Sequence, residues 1–300
     1  MSAWRALARD GRSAAGLAIL LALAAAALLA PLLAPADPLA QGEILRTRFL
    51  APFTTGPDQV THWLGTDRLG RDLLSRLLYG ARISLLVGFA AVAVSLLLGG
   101  AIGFTAAAAG GVTERALMAL TDAALMFPRI VLLLALVALF QPSLALVVLV
   151  LGATGWMGIA RLARAEAKAI LARPYVDAAR AGGVGTGRLV RHHVIPNALT
   201  PLLIAAALGV GNAITLEAGL SFLGLGIPAP APSWGNLIAS GRDALVNAPW
   251  IATFPGLAIV LAVIGCNLLA DGLRDALDPE ARYDSTTIVT VARGPAVNRT

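Results

Sequence analysis

Charge is scarce in this chain. Only 13% of its 300 residues are Asp, Glu, Lys or Arg, where a soluble domain carries about a quarter. The mean hydropathy is +0.79. This deficit excludes an ordinary soluble domain and marks a membrane protein. Cysteine is scarcer still. Cys266 stands alone inside an apolar run, which rules out an intrachain disulfide and a Cys-based metal cluster. Catalytic patterns are missing too. There is no Gly-x-x-x-x-Gly-Lys-Ser/Thr string to cradle a phosphate, so ATP is not bound here by that route. His192 and His193 are adjacent rather than a helical turn apart, so their rings do not easily share a metal, and no carboxylate pattern accompanies them. The net charge of +6 does not argue for nucleic acid. The basic residues sit in short loops between apolar runs, which is what membrane orientation produces.

Six apolar runs are present. The first, Ala14 to Ala36, follows a short stub carrying Arg5, Arg9 and Arg12. It is longer than the roughly 7–15 residue core of a signal peptide. Although Ala34-Pro35-Ala36 faintly resembles a cleavage site, the run reads as an uncleaved span. The others cover about 83–105, 115–139, 143–162, 197–217 and 249–272. With the N-terminus inside, 15 of the 23 Lys and Arg residues fall on the cytoplasmic side, seven fall outside and Arg129 lies within a span. The positive-inside rule favours that orientation. The chain thus divides into a cytoplasmic stub and first span (1–36), a periplasmic segment (37–82), a five-helix core (83–280) and a C-terminal tail (281–300) without periodicity, read as disordered. Within 37–82, Thr66 or Asp67 is placed to cap a helix with Leu69, Leu73, Leu74, Leu77 and Leu78 on one face. Asp67 with Arg71 and Asp72 with Arg76 form i,i+4 pairs on the other. Such a helix is expected to lie on the membrane surface. His62 reads as an interfacial histidine or a ligand.

Three charges mark the third run. Arg115, Asp122 and Arg129 are seven residues apart and fall close to one line along a helix. A charged line facing lipid costs a few kcal/mol per group, so it turns toward the bundle, a partner or a watery path. Two readings stay open: Asp122 pairs structurally with an arginine, or the line borders the substrate path. Pro128 is expected to kink this helix. Asn267, Asp271, Arg274 and Asp278 form a second stripe at the end of the last run. It is able to neutralise itself by i,i+3 and i,i+4 pairing and reads as an inter-helix or subunit lock near the cytoplasmic face. Glu217, at the outer end of the fifth span, is a functional candidate if buried and an interfacial residue if not.

The stretch Arg173 to Pro201 is a basic, Gly-punctuated insert between two apolar runs. Pro174 suits a first helical turn and Asp177 its positive end. Gly182, Gly183, Gly185 and Gly187 break that helix, Thr186 is placed to cap a second one, and Pro196 to end it. Two short helices at an angle would make a rigid knob. Asp177-Ala178-Ala179, Gly183 and Val194-Ile195-Pro196 resemble the coupling-loop motif of ABC-importer permease subunits, which reads Glu-Ala-Ala, three residues, Gly, then two apolar residues and Pro. Asp177 replaces the usual Glu with its charge kept. The string from His62 to Asp72, Leu220-Ser221-Phe222-Leu223-Gly224-Leu225-Gly226 with Pro232-Ser233-Trp234-Gly235, and Asn267 to Pro279 resemble segments of the dipeptide, oligopeptide and nickel permease subfamily.

The resemblance implies an all-α polytopic membrane protein of six transmembrane helices with a cytoplasmic two-helix coupling loop over 173–196. It implies a bacterial inner-membrane location with both termini cytoplasmic, and half of a translocation path for peptides or a related small solute such as nickel. The implied partners are a second homologous permease, two ATP-binding subunits and an extracytoplasmic solute-binding protein, with membrane lipid around them and no nucleic acid. No cofactor is expected on this chain; ATP and Mg would belong to the partner subunits, and the chain itself would not be an enzyme. Tyr175, Asp177, Ala178, Ala179, Gly183, Arg191 and Pro196 are the residues so assigned to coupling. A secondary transporter or channel is the alternative, and it calls for inverted repeats and midspan ionisable sites, neither of which stands out.

Overall fold

The computed structural model describes residues 11–41, 43–57 and 59–277. Asp278 and the tail 281–300 lie outside the described residues. The bundle is helical: α1 (Gly11–Leu28), α2 (Ala30–Leu33), α3 (Ile44–Thr47), α4 (Leu73–Ala109), α5 (Gly111–Leu125), α6 (Arg129–Ala138), α7 (Leu144–Leu171), α8 (Pro174–Ala181), α9 (Thr186–Leu189), α10 (Ile195–Phe222), α11 (Trp234–Gly241) and α12 (Trp250–Leu277). One small antiparallel hairpin interrupts it, β1 (Thr54–Thr55) with β2 (Thr61–His62). Five helical segments are long and apolar enough to cross a membrane, and counting α5 with α6 as one bent span makes six. The protein is an all-α polytopic membrane protein.

The third span is broken rather than kinked. Its halves meet at 82°, across Met126, Phe127 and Pro128. Pro128 has no N–H to donate, its ring meets the carbonyl a turn back, and Phe127 is pushed out of the helical region. Beyond the break Pro128 becomes the N-cap of α6.

Glycine lets the central helices approach. On α4, a β-carbon at Gly99 would stand 2.5 Å from the Trp156 carbonyl oxygen of α7. From the facing side, one at Gly152 would stand 2.6 Å from Val94. Between these contacts Ser95 Oγ donates to the Gly152 carbonyl at 3.0 Å. Without a hydrophobic force between helices in lipid, close van der Waals contact and such bonds hold the pair. In the same way α1 meets α12, with Gly16 against the backbone of Leu269.

At one end of the bundle the segment 37–72 folds into a cap. The expected surface helix starting at Thr66 or Asp67 is absent. Instead α4 begins at Leu73, with Asp72 as N-cap accepting from Ser75 N at 2.7 Å. It then runs unbroken for 37 residues, about 55 Å against a hydrocarbon core of about 30 Å. Its first turns carry Leu73, Leu74, Leu77 and Leu78 of the leucines assigned to a separate helix, while Leu69 precedes it. The charges there are buried, not solvated. Asp67 and Arg71 do pair, at 2.7 Å. Arg76 turns to Asp67 (3.6 Å) and the Pro38 carbonyl (3.1 Å) rather than to Asp72. Asp72 accepts instead from Ser75 Oγ (2.7 Å) and lies 2.9 Å from buried His62 Nδ1. His62 is thus buried within the cap against Asp72; among the described residues no cluster of three metal-ligating side chains exists.

Candidate functional site

The opposite end carries the knob. Helix α8 starts after Arg173 with Pro174 in its first turn and Asp177 at the positive end. Asp177 is exposed and pairs with Arg180 at 3.0 Å. The helix closes in a Schellman turn. Val184 N donates to the Ala179 carbonyl at 3.1 Å and Gly183 N to the Arg180 carbonyl at 2.9 Å. The turn places Gly183 at φ +83°, the left-handed conformation that glycine adopts without strain.

The second half of the knob differs from expectation. Thr186 is the first residue of α9, and its N-cap is Gly185, with no side-chain cap bond. Pro196 does not end the helix. A π-helical turn, Val190–Val194, carries α9 directly into α10, giving one helical rod from Thr186 to Phe222. The wider turn bonds Ile195 N to the Val190 carbonyl five residues back. This register accommodates Pro196, which has no N–H and crowds the turn before it. Val176, Leu189 and Val194 are fully buried, and the Tyr175 and His193 rings lie 5.9 Å apart. These contacts clamp the two halves together. The base packs through Val194 and Ala198 with Ala167 and Ile170 of α7 and Phe104 of α4. Tyr175, Asp177, Ala178 and Arg191 face outward, and Ala179 is half-buried. The knob therefore has a buried spine and an exposed polar face.

The interior charges do not form the expected line. The break at Pro128 takes Arg129 off the α5 axis. Asp122 pairs with Arg161 of α7 at 3.1 Å, both groups more than half exposed, rather than with Arg115 or Arg129. Arg115 Nε donates to the Gly111 carbonyl one turn back, a bond within α5. Arg129 crosses to α7, where Nη2 donates to the Leu151 carbonyl (3.2 Å) and Nε to Thr154 Oγ1 (3.4 Å). Sequence reading overlooked Glu114, which holds Arg164 and Lys168 (2.6 Å to Lys168). The signal was there: Arg161, Arg164 and Lys168 follow at three and four residues, one helix face.

Glu217 is fully buried. It accepts from Ser221 Oγ (2.7 Å) and Ser233 Oγ (2.9 Å), with Ser84 Oγ of α4 3.4 Å away. Ser233 also caps α11 in a capping box with Asn236, and Trp234 N donates to Ser84 Oγ. One carboxylate thereby ties α4, α10 and α11. The stripe on α12 is different: Asn267, Asp271 and Arg274 are exposed, and Asp271 does not pair with Arg274 among the described residues. These three side chains face outward, and the expected pairing of Arg274 with Asp278 lies outside the described residues.

The described residues thus form a bundle of five or six spans with a buried-spine knob at one end. Residues 96–283 match the family described as the binding-protein-dependent transport system inner membrane component, and residues 1–54 match the N-terminal transmembrane domain of oligopeptide transport permease C. The chain belongs to this family of ABC-transporter permeases. It is 41% identical over 281 residues (93% of this chain, 91% of the relative) to a di/tripeptide transport system permease protein of Pseudomonas aeruginosa. Over 221 residues (74% and 73%) it is 41% identical to a dipeptide transport system permease protein of Alkalihalophilus pseudofirmus. A probable D,D-dipeptide transport system permease protein of Escherichia coli is 39% identical over 225 residues (75% and 76%).

Proposed function

We propose that this chain is the permease subunit of an ATP-driven importer of dipeptides or similar short peptides in a bacterial inner membrane. Its knob and both termini lie in the cytoplasm. It works beside a second homologous permease, two ATP-binding subunits that carry the ATP and Mg, and an external solute-binding protein. The relatives' names support the substrate class. The observation that carries the mechanism is the single helical rod from Thr186 in the knob to Phe222. An ATPase that moves the knob as it closes on ATP moves a wall of the bundle with it, because packed helices shift as rigid bodies. Asp177 and the exposed face of α8 are the docking surface, and Gly183 sets its angle.

Uptake of a labelled dipeptide by the reconstituted assembly tests this reading. Transport should need ATP and both ATPase subunits, survive a protonophore, and vanish without the binding protein. The purified chain alone should hydrolyse no ATP. Uptake that collapses with the protonophore and ignores the ATPases would overturn the proposal in favour of a gradient-driven carrier.

A further inference from the structure

A cavity of about 330 Å³ opens between α4, α7 and α10, with Arg129, Ser95, Gly155, Leu208 and Asn212 in its lining. Arg129 spends two N–H groups on Leu151 and Thr154; a guanidinium has five. No carboxylate pairs with it among the described residues. Three acids of the neighbouring helices have other partners: Asp122 pairs with Arg161, Glu114 with Arg164 and Lys168, and Glu217 with three serines. An arginine within membrane-spanning structure and without a counter-ion is a functional group by default. Its environment is shaped for an occupant. A methyl group at Gly155 would fall 3.2 Å from Arg129 Nη2 and closer still to Ser95 Oγ, so glycine keeps open the space between the two polar groups. Ser95 gives its proton to the Gly152 carbonyl and so offers lone pairs to the cavity. Most of the remaining wall is apolar.

A planar fork of donors matches a carboxylate in two parallel hydrogen bonds. A hydroxyl acceptor and the Asn212 amide in the same lining suit peptide N–H and C=O groups, and apolar walls tolerate varied side chains. We propose that Arg129 is a substrate-binding residue of the translocation path, holding the C-terminal carboxylate of a short peptide with Ser95 and Asn212 against its backbone. The peptide part rests on the function proposed above; the carboxylate part rests on the cavity alone.

Charge-selective thiol labelling tests it without presupposing the solute. In the assembled transporter, in nanodiscs of zwitterionic lipid and on a Cys266→Ala background, Asn212→Cys is treated with sulfonatoethyl (anionic) and trimethylammonioethyl (cationic) methanethiosulfonates. The anionic reagent should be favoured relative to a free thiol in water. Arg129→Gln should lower the anionic-to-cationic rate ratio about fivefold or more, the scale of one partly screened charge within several ångströms, and Arg129→Lys should keep it. A free dipeptide should slow labelling while its C-terminal amide does not; this arm needs no Arg129 variant and decides the matter if Arg129→Gln fails to accumulate. No labelling, an unchanged ratio, or equal protection by acid and amide would overturn the proposal. A ratio that shifts with Arg129 in a transporter that takes up no peptide would instead remove the peptide reading and leave an anion site.

Discussion

Gly183 separates two explanations of the coupling loop. A β-carbon added there would meet nothing within 4 Å, so within this chain a side chain is not obstructed. The penalty lies in the backbone, because φ is +83° and a residue with a β-carbon loses roughly 1–2 kcal/mol in that region. Asparagine tolerates it best among the alternatives, and β-branched residues worst. The turn orients α8 on the rest of the knob, so 1–2 kcal/mol lowers the correctly angled population by a factor of about 5–30. Transport should therefore fall in the order Gly183→Asn, Gly183→Ala, Gly183→Val. Ala and Leu should behave alike, and the amount of protein in the membrane should stay near normal because the turn lies outside the bundle. ATP-driven dipeptide uptake per unit of assembled transporter measures the order. An Asn variant as damaged as Val, or a Val variant at full rate, would refute the argument that left-handed geometry at this turn sets the docking angle.

Other changes carry their own outcomes. Asp122→Ala breaks an ion pair whose members are 59% and 53% exposed; it should cost at most about 1 kcal/mol, so a fall in melting temperature of the detergent-solubilised protein well beyond that would place the pair in a drier site. Glu217→Ala leaves buried hydroxyls without their acceptor and opens a hole, a loss of about 2–4 kcal/mol, whereas Glu217→Gln keeps one acceptor oxygen and should retain part of the stability. Equal melting temperatures for the two would remove the hydrogen-bond account. With Cys266→Ala as background, Ser240→Cys should react with an impermeant thiol reagent in intact cells and Thr186→Cys only after permeabilisation; the reverse pattern would invert the orientation.

What was legible in the sequence follows from how local its causes are. The spans could be read because a bilayer requires about twenty apolar residues at a stretch. The Gly183 stop could be read because a helix end of this kind needs a left-handed residue. Pro128 was readable as a disturbance but not as an 82° break. Treating residues 115–139 as one helix put Arg129 on a line with Asp122, and the real partners came from α7. The segment 37–72 failed for a related reason. Its charges have helical spacing, yet Arg76 bonds the Pro38 carbonyl and Trp250 reaches back to the Thr66 carbonyl, and no spacing rule announces partners so far along the chain. The same holds for two of Glu217's serines, Ser84 and Ser233, which come from other elements, whereas Ser221 stands four residues on in α10. Pro196 misled because the rule that proline ends a helix assumes an α register, and a π turn evades it.

The placement of these features gives the bundle a mechanical logic. Helix α10 enters the knob at one end, borders the Arg129 cavity near Asn212 and holds Glu217 near the other end. Helix α7 borders the same cavity and runs on, past Arg164 and Lys168, into Arg173 at the root of α8. The two elements that would receive a push from the ATPases are therefore also two walls of the cavity. Helix α4 completes it and is locked to α7 through Gly99 and Gly152, so it travels with that wall. Arg129 stands on the far side of the Pro128 break, at the head of α6. Its hydrogen bonds to α7 run to the Leu151 carbonyl at 3.2 Å and to Thr154 at 3.4 Å. A push on the knob passed along α7 and α10 would therefore reach the wall to which Arg129 is hydrogen-bonded. If Arg129 holds a carboxylate as proposed, motion of the knob would bear on that site through the two helices that join them.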